Sequence, residues 1–325
     1  MSIFGSEKII TMSTPEDNVN VFYTGFDLSN FRYDELVDQI QDVIVDFAYG
    51  FHKGILEDSY NIRVLRESAK SIYKIKGFEE TKQKYVDEDG EFEDEIADKY
   101  LKRGEFGELI LHLLLRDFHN SVPLLSKIYF KDADGVTVHG FDAVHIAPDL
   151  SDPSKSSLWL GESKLYADGK KGVKALTEDI KEHFNEDYLK REFALITKKK
   201  NSYISLDQFE YTEKIDDYEE YLKETEYWYD LFDEKNKLQD ILSSVTIPMV
   251  CTYTSQVFND HNDENTQSFQ DDLQNEITEL KAHFDKHLKI PIPIDLNILL
   301  LLFPVPSKKE LVKKLHMKLD HTQNI

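Results

Sequence analysis

The run Leu158-Trp-Leu-Gly-Glu-Ser-Lys-Leu-Tyr166 is dense in Leu, Trp and Tyr and is bounded by Ser156-Ser157 and Asp168-Gly169, which predicts a buried strand. Side chains alternate along a strand, so Glu162 and Lys164 share one face and Ser163 takes the other. Upstream, Val136–Ala147 is β-branched and predicts a second strand, with Gly140 marking a bulge or a close backbone approach. On that strand Asp142 shares its face with Val144 and Ile146, while His139 and His145 point away from it. The Asp, Pro and Ser residues of Asp149–Ser157 predict a turn that returns the chain antiparallel and sets Asp142's strand beside that of Glu162.

Other periods fill in the rest. Ala97–Asn120 has helical spacing, with Phe106, Leu109, Ile110, Leu113 and Leu114 as its apolar stripe. Glu105, Glu108 and His112 lie beside that stripe; Glu108 is the one placed to reach a site, and a solvated face is the expectation for Glu105 and His112. Lys170–Phe184 reads as a helix, and Phe193-Ala-Leu-Ile196 within Glu192–Thr197 as a strand. Thr246–Ser255 and Asp295–Val305 read as deep strands joined by the helix Glu264–Leu288, a unit that suits a parallel pair. Ser307, with Glu310 three residues on, predicts a capping box for a last helix. Near the start, Asn18–Tyr23 predicts a strand, Phe31–Tyr49 an amphipathic helix and Tyr60–Lys76 a further helical stretch. The acidic segment Val86–Glu95 is the best boundary, dividing 1–95, an N-terminal α+β region suited to partner binding, from 96–325. The expected fold is α/β: a mixed central sheet flanked by helices, after a mainly helical N-terminal region.

A glutamate and a lysine inside a buried strand are costly unless paired or bound. Side by side on one face they can hold a divalent metal and a phosphate, which is a nuclease-like arrangement. Glu-x-Lys recurs at Glu80–Lys82 and Glu279–Lys281, but both copies lie in charged or helical stretches, so strand context singles out Glu162–Lys164. The single cysteine, Cys251, sits in an apolar run and reads as core, and the histidines show no zinc spacing. No phosphate-binding or dinucleotide glycine pattern is present.

The chain has 325 residues, 40% of them hydrophobic, and a net charge of −23. One cysteine, no signal-like start and no apolar run of membrane length predict a soluble cytoplasmic protein without a membrane partner. The negative charge opposes nucleic-acid binding over long range. Yet the acids concentrate in Asp87–Asp98 and Asp207–Glu234, whereas Lys170, Lys171 and Lys174 follow the Glu-x-Lys strand and are the candidate DNA contacts. Lys198–Lys200 and Lys308, Lys309, Lys313 and Lys314 form further basic clusters. The aromatics among the acids of Asp207–Ser243 read as core or interface, because the surrounding charge would repel nucleic acid.

The order of helix with Glu, strand, strand with Asp142, strand with Glu162-x-Lys164 and then the helix Lys170–Phe184 resembles the PD-(D/E)xK nuclease core. Arg103-Gly-Glu-Phe-Gly-Glu-Leu-Ile-Leu-His112, Gly140-Phe-Asp-Ala-Val-His145 and Leu160-Gly-Glu-Ser-Lys-Leu165 resemble the HamA effectors of Hachiman anti-phage defence. The resemblance implies a restriction-endonuclease-like core and a metal-dependent DNA nuclease that works with a superfamily 2 helicase partner, HamB. By motif it assigns Asp142 and Glu162 as metal ligands, Lys164 as the catalytic lysine and Glu108 as an accessory acid that also serves the metal. A literal Pro-Asp stands at Pro148-Asp149, but it falls at the turn, and Asp142 within the strand is preferred. Mg²⁺ or Mn²⁺ is the expected cofactor, since two carboxylates with waters and phosphate suit such an ion. Lys164 is expected to stabilise developing charge rather than to act as a base, because neighbouring carboxylates raise a lysine's pKa. Two alternatives stay open: a catalytically silent binding or regulatory subunit on the same fold, and an RNA nuclease.

Overall fold

In the computed structural model, residues 3–50, 62–72, 104–124, 140–198, 223, 225–232 and 236–325 are described. The expected boundary at Val86–Glu95, His139 and the Lys198–Lys200 cluster's last two residues lie outside them.

Nine strands form in the described residues: β1 (Ile10–Glu16), β2 (Val19–Thr24), β3 (Phe26–Asp27), β4 (Asn30–Phe31), β5 (Val122–Pro123), β6 (Ala143–Pro148), β7 (Ser156–Tyr166), β8 (Val245–Thr254) and β9 (Asn297–Val305). Seven of them make one sheet in the order β1-β2-β9-β8-β7-β6-β5, and β3 and β4 form a small hairpin apart. The centre is parallel, β2 to β9, β9 to β8 and β8 to β7. The outer pairs β1–β2, β5–β6 and β6–β7 are antiparallel. The strand–helix–strand unit toward the C-terminus therefore forms as expected, and the Asp149–Ser157 turn returns β7 along β6.

Helices cover both faces. On one lie α1 (Tyr33–Asp42), α2 (Ile44–Tyr49), α3 (Ile62–Ile72), α4 (Glu105–Phe118) and α10 (Lys308–Asn324); the others are α5 (Gly169–His183), α6 (Glu186–Lys198), α7 (Leu238–Leu242), α8 (Val257–Asp260) and α9 (Gln267–His287). The alternation of β7 divides its side chains between the two cores. Leu158 and Leu160 join Val173, Leu176 and Ile180 of α5, while Trp159 and Leu165 join Leu109 and Leu113 of α4.

Three expectations need correction. The N-terminal region is rich in strand rather than mainly helical, and β1 and β2 lie in the same sheet as the strands beyond residue 96. β1 is hard to read because it is an edge strand in which Ile10 alone is buried. It turns into β2 through Asn18 at φ 64°, a left-handed position that asparagine tolerates. Second, Glu192–Thr197 is part of α6: Leu189, Phe193 and Ile196 bury at helical spacing, a period that a six-residue window hides. Third, the capping box at Ser307 is half formed. Ser307 Oγ accepts from the Glu310 amide at 3.2 Å, but the Ser307 amide donates to Tyr33 Oη at 2.7 Å instead of to Glu310.

Candidate active site

β7 is flanked on both sides by strands, so Glu162 and Ser163 are buried, at 2% and 4% exposure. β6 begins at Ala143, so Asp142 stands just before the strand rather than within it as expected; the β6–β7 ladder ends at the pair Ala143–Gly161, and the next level of the same register sets Asp142 beside Glu162. There a side chain continues the ladder. The Asp142 carboxylate accepts from the Ser163 amide at 2.8 Å and from Ser163 Oγ at 2.7 Å through the same oxygen, Oδ2.

The opposite face of β7 is pressed against α4. A Cβ on Gly161 would meet Leu111 at 2.9 Å, and one on Gly107 would meet Ser163 Oγ at 3.0 Å. The glycine before Glu162 thus marks a close helix–sheet approach. It also puts Glu108, in the first turn of α4 and buried, on a helix packed over the Ser163 face rather than the Glu162–Lys164 face.

Two residues that the sequence reading passed over complete the cluster. Lys164 Nζ pairs with Asp179 at 2.5 Å, and His183 Nδ1 lies 2.6 Å from Glu162 Oε1. Both come from α5, four residues apart. Asp179 and His183 flank Ile180 in the apolar stripe Val173, Leu176 and Ile180, directly after the Glu-x-Lys strand, and that placement was the available signal.

Burial pushes the Glu162 carboxyl up to about 8; the charges of Asp142 and Asp179 add to this, and the His183 hydrogen bond opposes it. Burial works against the Lys164 charge, but the Asp179 carboxylate, with Glu162 and Asp142 beyond it, holds the lysine above its ordinary value. Asp179 is raised by burial despite Lys164. His183 is raised by its bond to Glu162 in spite of burial. Three carboxylates, those of Asp142, Glu162 and Asp179, thus face one lysine and one histidine. A surplus of buried acid is relieved either by retaining protons or by binding a cation. Among the described residues no three acids, histidines or cysteines converge as a ready-made metal cage. Asp142 and Glu162 are the donors available, and two carboxylates supplemented by waters and phosphate fit Mg²⁺ or Mn²⁺.

The basic candidates are more dispersed. Lys170 and Lys174 lie exposed near the start of α5 and pair with Glu279 at 2.9 Å and Glu178 at 3.9 Å, while Lys171 is exposed beside them. Lys170 stands roughly 14 Å along the helix from Asp179. On α10, Lys308 is buried and Lys314 pairs with Asp34 at 2.8 Å. Asp149, the other acid considered, accepts from the amides of Ser151 and Asp152 as a turn residue at the far end of β6. Trp228 and Phe232 are buried, as expected for core aromatics, Tyr227 is 54% exposed, and Cys251 is buried.

His112 is not on a solvated face. Its Nε2 lies 2.6 Å from Asp46 Oδ1, and its Nδ1 lies 3.2 Å from His145 Nε2. His145 Nδ1 is 2.8 Å from Ser121 Oγ, and Arg116 grips both oxygens of Asp46, at 2.9 and 3.2 Å. These bonds close with both imidazoles neutral and only Asp46 and Arg116 charged. α4 is buried along its whole length from Phe106 to Asp117, and the near-continuous apolar run Leu109–Leu115 was the sign of it.

The HamA family model matches residues 3–319 of the chain. No curated protein matches it.

Proposed function

The chain belongs to the HamA family, which supports a role in Hachiman antiviral defence, and from that premise we propose that it is the system's metal-dependent DNA nuclease, built on a PD-(D/E)xK core. The observation that carries this reading is the meeting of Asp142, Glu162 and Lys164 where the β6–β7 ladder ends, in a cluster with surplus carboxylate.

In this reading Asp142 and Glu162 hold Mg²⁺ or Mn²⁺, with the Ser163 amide and hydroxyl fixing the Asp142 carboxylate from behind. The ion, when bound, supplies Lewis-acid relief of phosphate charge and a water of lowered pKa. As a ligand to such an ion Glu162 would be ionised. Lys164 stays cationic beside Asp179 and stabilises the charge that develops on the scissile phosphate. A lysine with a raised pKa is a poor base, so proton abstraction falls outside its role. Glu108 can serve as accessory acid only from the Ser163–Asp142 side, given where α4 packs.

At a net charge of −23 the chain repels a polyanion over long range. We infer that a HamB-like superfamily 2 helicase delivers the DNA and that the isolated chain is a poor DNA binder. The test is cleavage of plasmid DNA with Mg²⁺, by the chain alone and with the helicase. Lys164→Ala is expected to lower the rate by roughly 100- to 1000-fold. A parallel RNA substrate decides between the two nucleic acids.

A second reading keeps the fold and discards catalysis. It draws on the fact that Glu162 and Lys164 are each satisfied internally, by His183 and Asp179. On that reading Lys164→Ala changes stability and leaves any metal-dependent cleavage at the wild-type rate.

A further inference from the structure

Only Ala167 and Asp168 separate β7 from α5, so the helix returns antiparallel over the strand that carries Glu162 and Lys164. Residues four apart on a helix are about 6 Å apart along its axis, and residues two apart on a strand about 6.6 Å. The two spacings nearly coincide. The antiparallel sense then pairs the later strand residue with the earlier helix residue, Lys164 with Asp179, and the earlier with the later, Glu162 with His183.

The imidazole of His183 is itself held on several sides. Tyr188 stacks on it with ring centres 4.6 Å apart and planes 14° apart, and Phe141 stands edge-on at 6.3 Å and 89°. The Arg191 guanidinium carbon lies 4.9 Å from the centre of the Tyr188 ring. Phe141 immediately precedes Asp142, so the residue beside one candidate ligand braces the ring that holds the other. A glutamate side chain has three rotatable bonds, and a hydrogen bond from a ring locked in this way removes that freedom before any ligand arrives.

We propose that His183 is a positioning residue of the site: through Nδ1 it fixes Oε1 of Glu162 and leaves Oε2 as the oxygen offered to the divalent cation. His183 touches neither the ion nor the substrate and acts only through Glu162. This rests on the metal-site reading above. A side chain that orients a metal ligand is worth about 10- to 100-fold in metal affinity.

The experiment is Mn²⁺ binding to the purified full chain, followed by the electron paramagnetic resonance of the free ion, with the melting temperature of each metal-free variant measured alongside. No helicase or DNA is needed. Glu162→Gln is expected to abolish the binding. His183→Phe keeps a ring against Tyr188 but has no donor, and is expected to weaken binding about 10- to 100-fold. His183→Asn can place an amide N–H near the position of Nδ1 and is expected to recover most of the loss. Wild-type affinity in His183→Phe, with binding abolished in Glu162→Gln, overturns the role of His183 and leaves the metal site standing. An asparagine variant as weak as the phenylalanine one also overturns it, because the hydrogen bond would then not be the cause. Equal binding by wild type and Glu162→Gln, or none by either, overturns both the positioning role and the metal site beneath it.

Discussion

Two clusters of ionisable side chains lie on opposite faces of one sheet, one fully buried and one half-buried around Glu162, and they handle charge in opposite ways. Beneath α4, Asp46 is matched by Arg116, and His112, His145 and Ser121 complete a closed set of hydrogen bonds. Between β7 and α5, Asp142, Glu162 and Asp179 outnumber Lys164 and His183. The pKa directions follow. Burial works against the Asp46 charge, but Arg116 and His112 hold its carboxyl well below the ordinary range, whereas Glu162 is pushed up to about 8. Burial lowers His112 and lowers His145 further, whereas His183 is raised. A balanced network ties helices to a sheet and asks for nothing more. An unbalanced one keeps a standing demand for protons or cations, and that demand separates a candidate site from a structural bond.

Breaking the balanced cluster gives the largest expected effect. Arg116→Met strands a buried carboxylate and is expected to cost about 3–5 kcal/mol, read as a lowered urea midpoint. Cleavage per folded molecule should be unchanged. A loss of under 1 kcal/mol would mean that Asp46 finds water, and that the two clusters differ less than their contacts imply.

The next test uses pH, because the two faces respond with opposite sign. Glu162 and His183 bind protons more tightly folded than unfolded. Their contribution is therefore complete below the ordinary values of 4.5 and 6.5 and is lost as pH rises, for Glu162 through about 8. His112 and His145 bind protons less tightly folded, so their contribution is present above 6.5 and is lost as pH falls below it. His119, pushed down to about 4 by burial, adds to this acid arm. Melting temperature against pH should thus decline on both sides. Glu162→Gln should remove the decline that Glu162 contributes between pH 4.5 and about 8. An alkaline arm that persists in Glu162→Gln would assign it to other groups.

The smallest effect sharpens the contrast. Ser121→Ala removes one hydrogen bond from His145 and is expected to cost about 1 kcal/mol, measured as a shift in the urea midpoint. No change in Mn²⁺ affinity should accompany it. A change there would mean that the two faces communicate through β6.

Much of the candidate site could be read from the chain because strand alternation is a strict rule. The apolar run of β7 fixed which face Glu162 and Lys164 share, and the same alternation turned His145 away from Asp142. The residues missed were those whose surroundings come from elsewhere in the chain. Asp179 and His183 sit in Glu178-Asp-Ile-Lys-Glu-His183, which reads as a solvated helix end until Glu162 and Lys164 are laid beneath it. Asp46 and His112 are 66 positions apart and meet only when α2 packs on α4. The strand expected at Glu192–Thr197 failed for a different reason: four apolar residues in a row satisfy both periods, and only the added Leu189 reveals the helical one.

The parallel pairing of β2 with β9 also bears on the order in which the sheet assembles. Val19 meets Leu300, and Tyr33 bonds Ser307 across 274 positions of sequence. The sheet can therefore close only after both segments have been made, and contacts of such long range make for slow folding. β8 and β9, which support β7 from one side, are made after it. Chains that stop before β8 lack that support, so β7 stays an open edge until β8 and β9 have joined it.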